Sequence, residues 1–128
     1  MKNKDLIKAI KALTVIMPLR LPYEKAKAIF NLFREIEPEY QFIAQEERKL
    51  VGMYASKNLD GSPKTTRDGS IIFDKESKKM DYIAEQSALM AMESEKTYEV
   101  IHLSRTDIGE QTIAVETMLD LDGLVIFD

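Results

Sequence analysis

Apolar residues recur at steps of three and four through the first half of the chain. Between Lys4 and Met17 they fall at Leu6, Ile10, Leu13 and Met17, with Lys4, Lys8 and Lys11 on another face, which predicts an amphipathic helix. Pro18 ends it, because the residue before a proline avoids helical backbone. Pro22, suited to a first turn, and Glu24, favourable near a positive helix start, open the next helix. There the spacing Ala26, Ile29, Phe33, Ile36, Tyr40, Ile43, Glu47, Leu50, Tyr54 runs unbroken, and only Glu47 departs from an apolar or aromatic seam of coiled-coil type. Pro38 interrupts one backbone hydrogen bond at about 3 kcal/mol. The seam keeps its register across it, so the pattern predicts one kinked helix from Pro22 to Ser56. At 1.5 Å per residue it would be roughly 50 Å long, whereas a compact domain of this length is roughly 36 Å across. Such a helix must bend, project or pack on another copy.

Beyond it the period changes. Asp74 is placed to cap a third helix reaching about Glu95, with Met80, Ile83, Ser87 and Met90 on the stripe expected to face the core and Ala84, Ala88 and Ala91 beside it. The β-rich run from Thr97 to Leu103 reads as a strand. Ser104 to Thr112 is polar, Val115 to Leu121 reads as a short helix stopped at Gly123, and the apolar end Leu124–Phe127 reads as a docked strand or a sticky terminus. No internal repeat or domain linker stands out. The expected class is α+β, mainly α: a helical hairpin with a long kinked helix and a small antiparallel sheet, built from a hairpin near 64–73, a strand near 97–103 and the C-terminal strand, in a single domain over residues 1–128.

The segment Leu59–Asp74, "LDGSPKTTRDGSIIFD", raises three possibilities. A calcium loop needs glycine at its sixth position and glutamate at its twelfth. Frames starting at Asn58 or Asp60 supply neither. A nucleic-acid hook would need aromatic partners and more basic company. Asp68-Gly69 is a hairpin signal, and a two-residue turn there pairs Arg67 with Ser70, Thr66 with Ile71 and Thr65 with Ile72. Ile71 and Phe73 would then pack on helices or join the sheet, and the tip with Arg67 and Asp68 is a contact for a partner rather than a metal.

Composition narrows the chemistry. The 128 residues carry a net charge of −4 and no cysteine, which removes thiolate zinc sites, disulfides and cysteine nucleophiles and gives no general attraction to nucleic acid. The charged N-terminus is not a signal peptide, and no stretch approaches the roughly 18 apolar residues of a membrane span. His102 is the one histidine. Ser104 is two residues from it without a nucleophile-elbow motif, so the expectation is a strand residue with a locally satisfied ring. No glutamate has a carboxylate three residues on, the spacing with which helical hydrolases hold magnesium. Glu99 and His102 have the Glu-x-x-His spacing of di-iron bundles, but on a strand. Glu47 is expected to pair with Arg48, Lys49 or a partner chain and set register. The lysines of the first helix and of 75–79 read as solvated faces; the seven methionines could form an adaptable binding surface, but Met80, Met90 and Met92 at helical spacing read as core. No catalytic, cofactor or metal residue is expected.

The stretches "LPYEKAKAIF", "EERKLVGMY", "DGSPKTTRDGSIIF", "YIAEQSALMAMESE" and "LDLDGLVIF" together give the chain a layout that resembles small proteins encoded by tailed phages and prophages of Gram-positive bacteria. The resemblance covers nearly the whole chain on loose motifs and transfers no catalytic residue. It implies a phage context, in which small domains serve virion assembly or antagonise host defence. The expected function is therefore a non-catalytic protein-binding module, oligomeric, in the host cytoplasm or the virion, binding protein rather than membrane or nucleic acid. Its candidate contacts are Tyr40, Ile43, Glu47, Leu50, Tyr54, Arg67 and Asp68. A magnesium-dependent nucleotide-processing enzyme and a nucleic-acid-binding accessory protein are the alternatives.

Overall fold

A computed structural model describes residues 1–128. The elements in chain order are α1 (Asn3–Ile16), α2 (Tyr23–Tyr54), α3 (Glu76–Ala91), β1 (Ile101–Leu103), α4 (Arg105–Ile108), α5 (Val115–Asp120) and β2 (Val125–Phe127). The fold is α+β and mainly α. Contacts group the chain into two compact units, Met1–Tyr40 with Glu93–Asp128, and Gln41–Met92.

In the first unit α1 buries the face predicted by its spacing: Leu6, Ala9, Ile10, Leu13 and Ile16 are buried, whereas Lys4, Lys8 and Lys11 are exposed. It packs on α5. Ile29, Leu32 and Ile36 of α2 add to this core, and Ala26, expected on the seam, is exposed. The start of α1 is tied down by an antiparallel bridge between Lys2 and Glu93. Gln111 closes the other end: its amide accepts from the Arg20 N–H and donates to the Arg20 carbonyl, both at 2.7 Å.

The sheet corrects the expected topology. It has two strands, β1 and β2, paired in parallel with Ile101 opposite Val125 and Leu103 opposite Phe127. Parallel neighbours need a long crossover, and residues 104–124 supply it, carrying α4 and α5. The strand is also shorter than the predicted 97–103. The apolar C-terminus is docked: Leu124 and Val125 are buried. The polar stretch Ser104–Thr112 holds α4, which starts on a capping box. Ser104 Oγ accepts from the Asp107 N–H (3.1 Å), and the Asp107 carboxylate accepts from the Ser104 N–H (2.9 Å).

In the second unit α2 runs on without interruption, having passed Pro38 as one helix. The segment between α2 and α3 is a pair of hairpins separate from the sheet, with bridges Lys57–Pro63 and Thr65–Ile71. The two bridges are eight residues apart at both ends, and so are the turns. Asn58-Leu59-Asp60-Gly61-Ser62 and Thr66-Arg67-Asp68-Gly69-Ser70 close alike: the glycine N–H donates to the first residue's carbonyl (3.0 Å in each), and the first residue's N–H donates to the serine carbonyl (2.8 Å in each). An internal repeat is therefore present, correcting the sequence reading. The register differs by one residue from the expected two-residue turn. Thr66 pairs with Ser70 across a three-residue loop that ends on Gly69 at φ 87°, and Gly61 does the same at φ 86°. Asp-Gly serves this loop as well, because the αL position at its end favours glycine.

The repeat closes on itself. Ser56 N–H donates to the Ile72 carbonyl (2.9 Å), Ile72 N–H to the Lys64 carbonyl (3.0 Å), and Lys64 N–H to the Ser56 carbonyl (2.8 Å). Three strand-like segments, again eight residues apart, thus form a ring of backbone hydrogen bonds at the exit of α2. Ser56 is buried at its centre, and its hydroxyl donates to Asp74. Asp74 was expected to cap α3. Its carboxylate is engaged by Ser56 instead, and α3 starts at Glu76 with no side-chain cap.

Candidate interaction surfaces

The candidate contacts on the seam are largely enclosed by the chain itself. Ile43 is buried, and Tyr40, Glu47, Leu50 and Tyr54 are half-buried. Within the second unit Glu47 accepts a hydrogen bond from the Gln86 amide at 3.3 Å. Its partner is thus on α3, correcting the expectation of Arg48 or Lys49; Lys49 pairs with Glu46 at 2.9 Å. Tyr54 meets the same helix. A hydrogen bond to Glu85 and partial burial raise its phenol above the ordinary value, and burial with Glu47 nearby raises Tyr82. The Tyr82 ring lies 5.4 Å from that of Phe73, so Phe73 takes the helix-packing option rather than the sheet.

These contacts reverse the expected orientation of α3. Tyr82 is its one buried residue, with Gln86 and Leu89 half-buried on the same face. Of the predicted stripe Met90 is half-buried, but Met80 is 64% exposed and Ile83 49% exposed, and Ala84, Ser87, Ala88 and Ala91 are exposed with them. At helical spacing these six exposed residues form one continuous face. Both candidate faces of α3 have steps of three and four, so periodicity could not choose between them.

At the hairpin tips Arg67 and Asp68 are exposed, as is Leu59 at the equivalent place in the first turn. Both aspartates are tied into the turns. Asp60 accepts from the Ser62 N–H (2.9 Å) and hydroxyl (2.5 Å), and Asp68 accepts from the Thr66 hydroxyl and the Ser70 N–H (3.2 Å). Those hydrogen bonds hold both carboxyls below their ordinary pKa. Asp68 is therefore a turn-building residue, leaving Arg67 and Leu59 as the side chains each tip offers. The acidic residues do not gather into a group placed to hold a metal ion, and no helix is long and apolar enough to cross a membrane.

The first unit holds a surface that sequence reading missed. In the parallel ladder Ile101 donates to the Leu124 carbonyl and Leu103 accepts from the Asp128 N–H. Alternate residues of a strand address opposite edges, so the backbone groups of Val100 and His102 point away from β2. Along this edge runs a cleft of about 420 Å³, lined by Glu99, Val100, Ile101 and His102 on one side and by Glu24, Lys25, Ala28, Asn31, Leu32 and Glu35 of α2 on the other. Lys25 Nζ donates to the His102 carbonyl at 2.6 Å. His102 lies in β1, its ring exposed with Nδ1 3.5 Å from the Asp128 carboxylate. The signal available in the sequence was the one-face spacing of Glu24, Ala28, Asn31 and Glu35, which an α2 seam centred on Ile29 and Ile36 had already assigned to solvent.

No family model, curated protein or solved structure matches the chain.

Proposed function

We propose that the chain is a non-catalytic protein-binding module of phage origin that works through helix–helix contact, either within a virion assembly or against a host defence complex. One observation carries this reading: α3 turns its polar and aromatic side to its own unit and leaves an apolar stripe on the outside. Exposed apolar faces of this continuity mark interaction sites.

The occupant that fits is the α3 of a second copy. A two-fold interface requires a self-complementary patch, and the stripe has one. Its large residues, Met80 and Ile83, are N-terminal, and its small ones, Ser87, Ala88 and Ala91, are C-terminal. In an antiparallel pair centred between residues 85 and 86, Met80 lies against Ala91, Ile83 against Ala88 and Ala84 against Ser87. Charge supports the same direction. Lys75, Lys78 and Lys79 crowd the positive start of α3, and its last turn has no basic residue. An antiparallel neighbour brings those lysines to the negative helix end.

Light scattering across a concentration series tests the reading. The wild-type chain is expected to be a dimer that dissociates on dilution, since a single helix pair is a small interface, and Ile83→Asp is expected to be monomeric with unchanged helical circular dichroism. A wild-type monomer at all accessible concentrations, or a dimer indifferent to Ile83→Asp, overturns it. Presence of the chain in particles purified from an induced lysogen separates the virion role from the antagonist role.

A further inference from the structure

We infer that the cleft between β1 and α2 is a docking groove for an extended, basic peptide segment of a partner protein, which adds to the sheet as a third strand beside β1. This surface belongs to the first unit and does not depend on the α3 face.

Three observations on the groove lead to this occupant. The first is the unused edge. Only β2 pairs with β1, so the outward backbone groups of Val100 and His102 are donors and acceptors in the spacing that a strand recognises, and peptides add to such edges through their main chain. The second is the wall. α2 runs along the opposite side with residues 24, 25, 28, 31, 32 and 35, successive positions on one helix face. The groove is thus walled by a strand edge on one side and a helix face on the other. The third is charge. The lining carries three carboxylates, Glu24, Glu35 and Glu99, against one lysine. Side chains of an added strand alternate in direction, so basic residues at every second position would face this acidic wall, and the aliphatic Ala28 and Leu32 would meet the stems between them.

Lys25 explains how the edge stays unpaired in the free protein. An exposed strand edge invites indiscriminate pairing, and a lysine is one of the devices that block it. Here the Lys25 ammonium occupies the His102 carbonyl, the acceptor that an incoming peptide N–H needs. It is released when a peptide arrives, and its charge opposes a basic segment less than the three carboxylates favour one.

Panning a displayed library of random hexapeptides against the intact protein, followed by titration of the recovered peptide, tests the assignment. Enrichment of Lys or Arg at alternating positions is expected. Glu35→Lys with Glu99→Lys should weaken the recovered peptide at least tenfold, Lys25→Ala should tighten it several-fold, and Ile83→Asp should leave it unchanged. Both glutamates are exposed, so their exchange leaves the core intact. Hydrogen exchange distinguishes strand addition from loose ionic attraction: the His102 amide should slow on saturation with the peptide, and binding should survive added salt in part. Failure to enrich any peptide, enrichment of acidic or helical sequences, or binding that leaves the His102 amide unprotected overturns the inference.

Discussion

Burial, with the charges of Glu39 and Glu35 behind it, pushes the Tyr98 phenol up to about 12. Its hydroxyl oxygen is enclosed and makes no hydrogen bond of ordinary geometry, so the neighbouring carboxylates act on it through charge, while the Lys96 ammonium sits over its ring at 5.6 Å. A phenol raised in this way ties its proton to the folded state. The unfolded chain ionises from its ordinary value of 10.0 while the folded chain does not. The contribution is therefore intact below pH 10 and is lost as pH rises toward about 12. Tyrosinate absorbance should show the last-titrating phenol, later than the raised Tyr54 and Tyr82, missing in Tyr98→Phe. Urea denaturation should show the wild type losing stability faster than Tyr98→Phe over that window. At neutral pH the substitution removes an unpaired buried hydroxyl and is expected to be neutral or stabilising by up to about 1 kcal/mol; a loss larger than that would mean the hydroxyl has a partner.

The paired hairpins hang on two glycines. Gly61 and Gly69 both have positive φ, and nothing crowds the place where a Cβ would stand, so the cost of alanine there is conformational alone, about 1–2 kcal/mol each. The turns share no partner, and the two losses should add. The readout is amide exchange at Thr66 and Asn58, whose N–H groups close the turns; unchanged protection in Gly69→Ala would show that the ring at Ser56, Lys64 and Ile72 suffices without the turn. That Asp68-Gly69 makes a hairpin was legible in the sequence, whereas Asp60-Gly61 read only as an exit turn from the long helix. The hairpin's register was not legible, because two- and three-residue loops both end on a glycine and the choice between them was made by closure of a three-segment ring. The α1 face and the long α2 were legible for a different reason: their apolar spacing persists over several turns and admits one buried side. α3 has two plausible sides, and the polar pairs Glu47–Gln86 and Tyr54–Glu85 decided between them. The strand at Ile101 and its place beside the C-terminal strand were readable, but the parallel direction of the pairing was not, since it is settled by a crossover through α4, an element too short for any period. The cleft shares that history, because it exists only once β1 has chosen β2 and left its other edge to α2.

At the scale of the whole chain the two units differ in what holds them. All the largest fully buried side chains, Leu6, Leu13, Ile16, Ile29, Ile36, Leu103 and Leu121, belong to the first unit. The second has Ile43, Ala55 and Tyr82, with the buried hydroxyl of Ser56. Local opening free energies follow buried apolar packing, and each 1.4 kcal/mol, roughly, is tenfold in the opening equilibrium. Native-state hydrogen exchange at low protein concentration should therefore show α3 and the hairpin ring opening at least tenfold more readily than α1 and β1. The same measurement at high concentration is the more demanding one. If a second copy covers Met80 and Ile83, mass action stabilises only the states in which α3 is folded, so protection of α3 should rise with concentration while that of α1 stays fixed. Ile83→Asp should abolish the rise and preserve the difference between the units. A concentration dependence spread evenly over both units would place the self-contact elsewhere on the chain, and none at all would overturn the self-contact of α3.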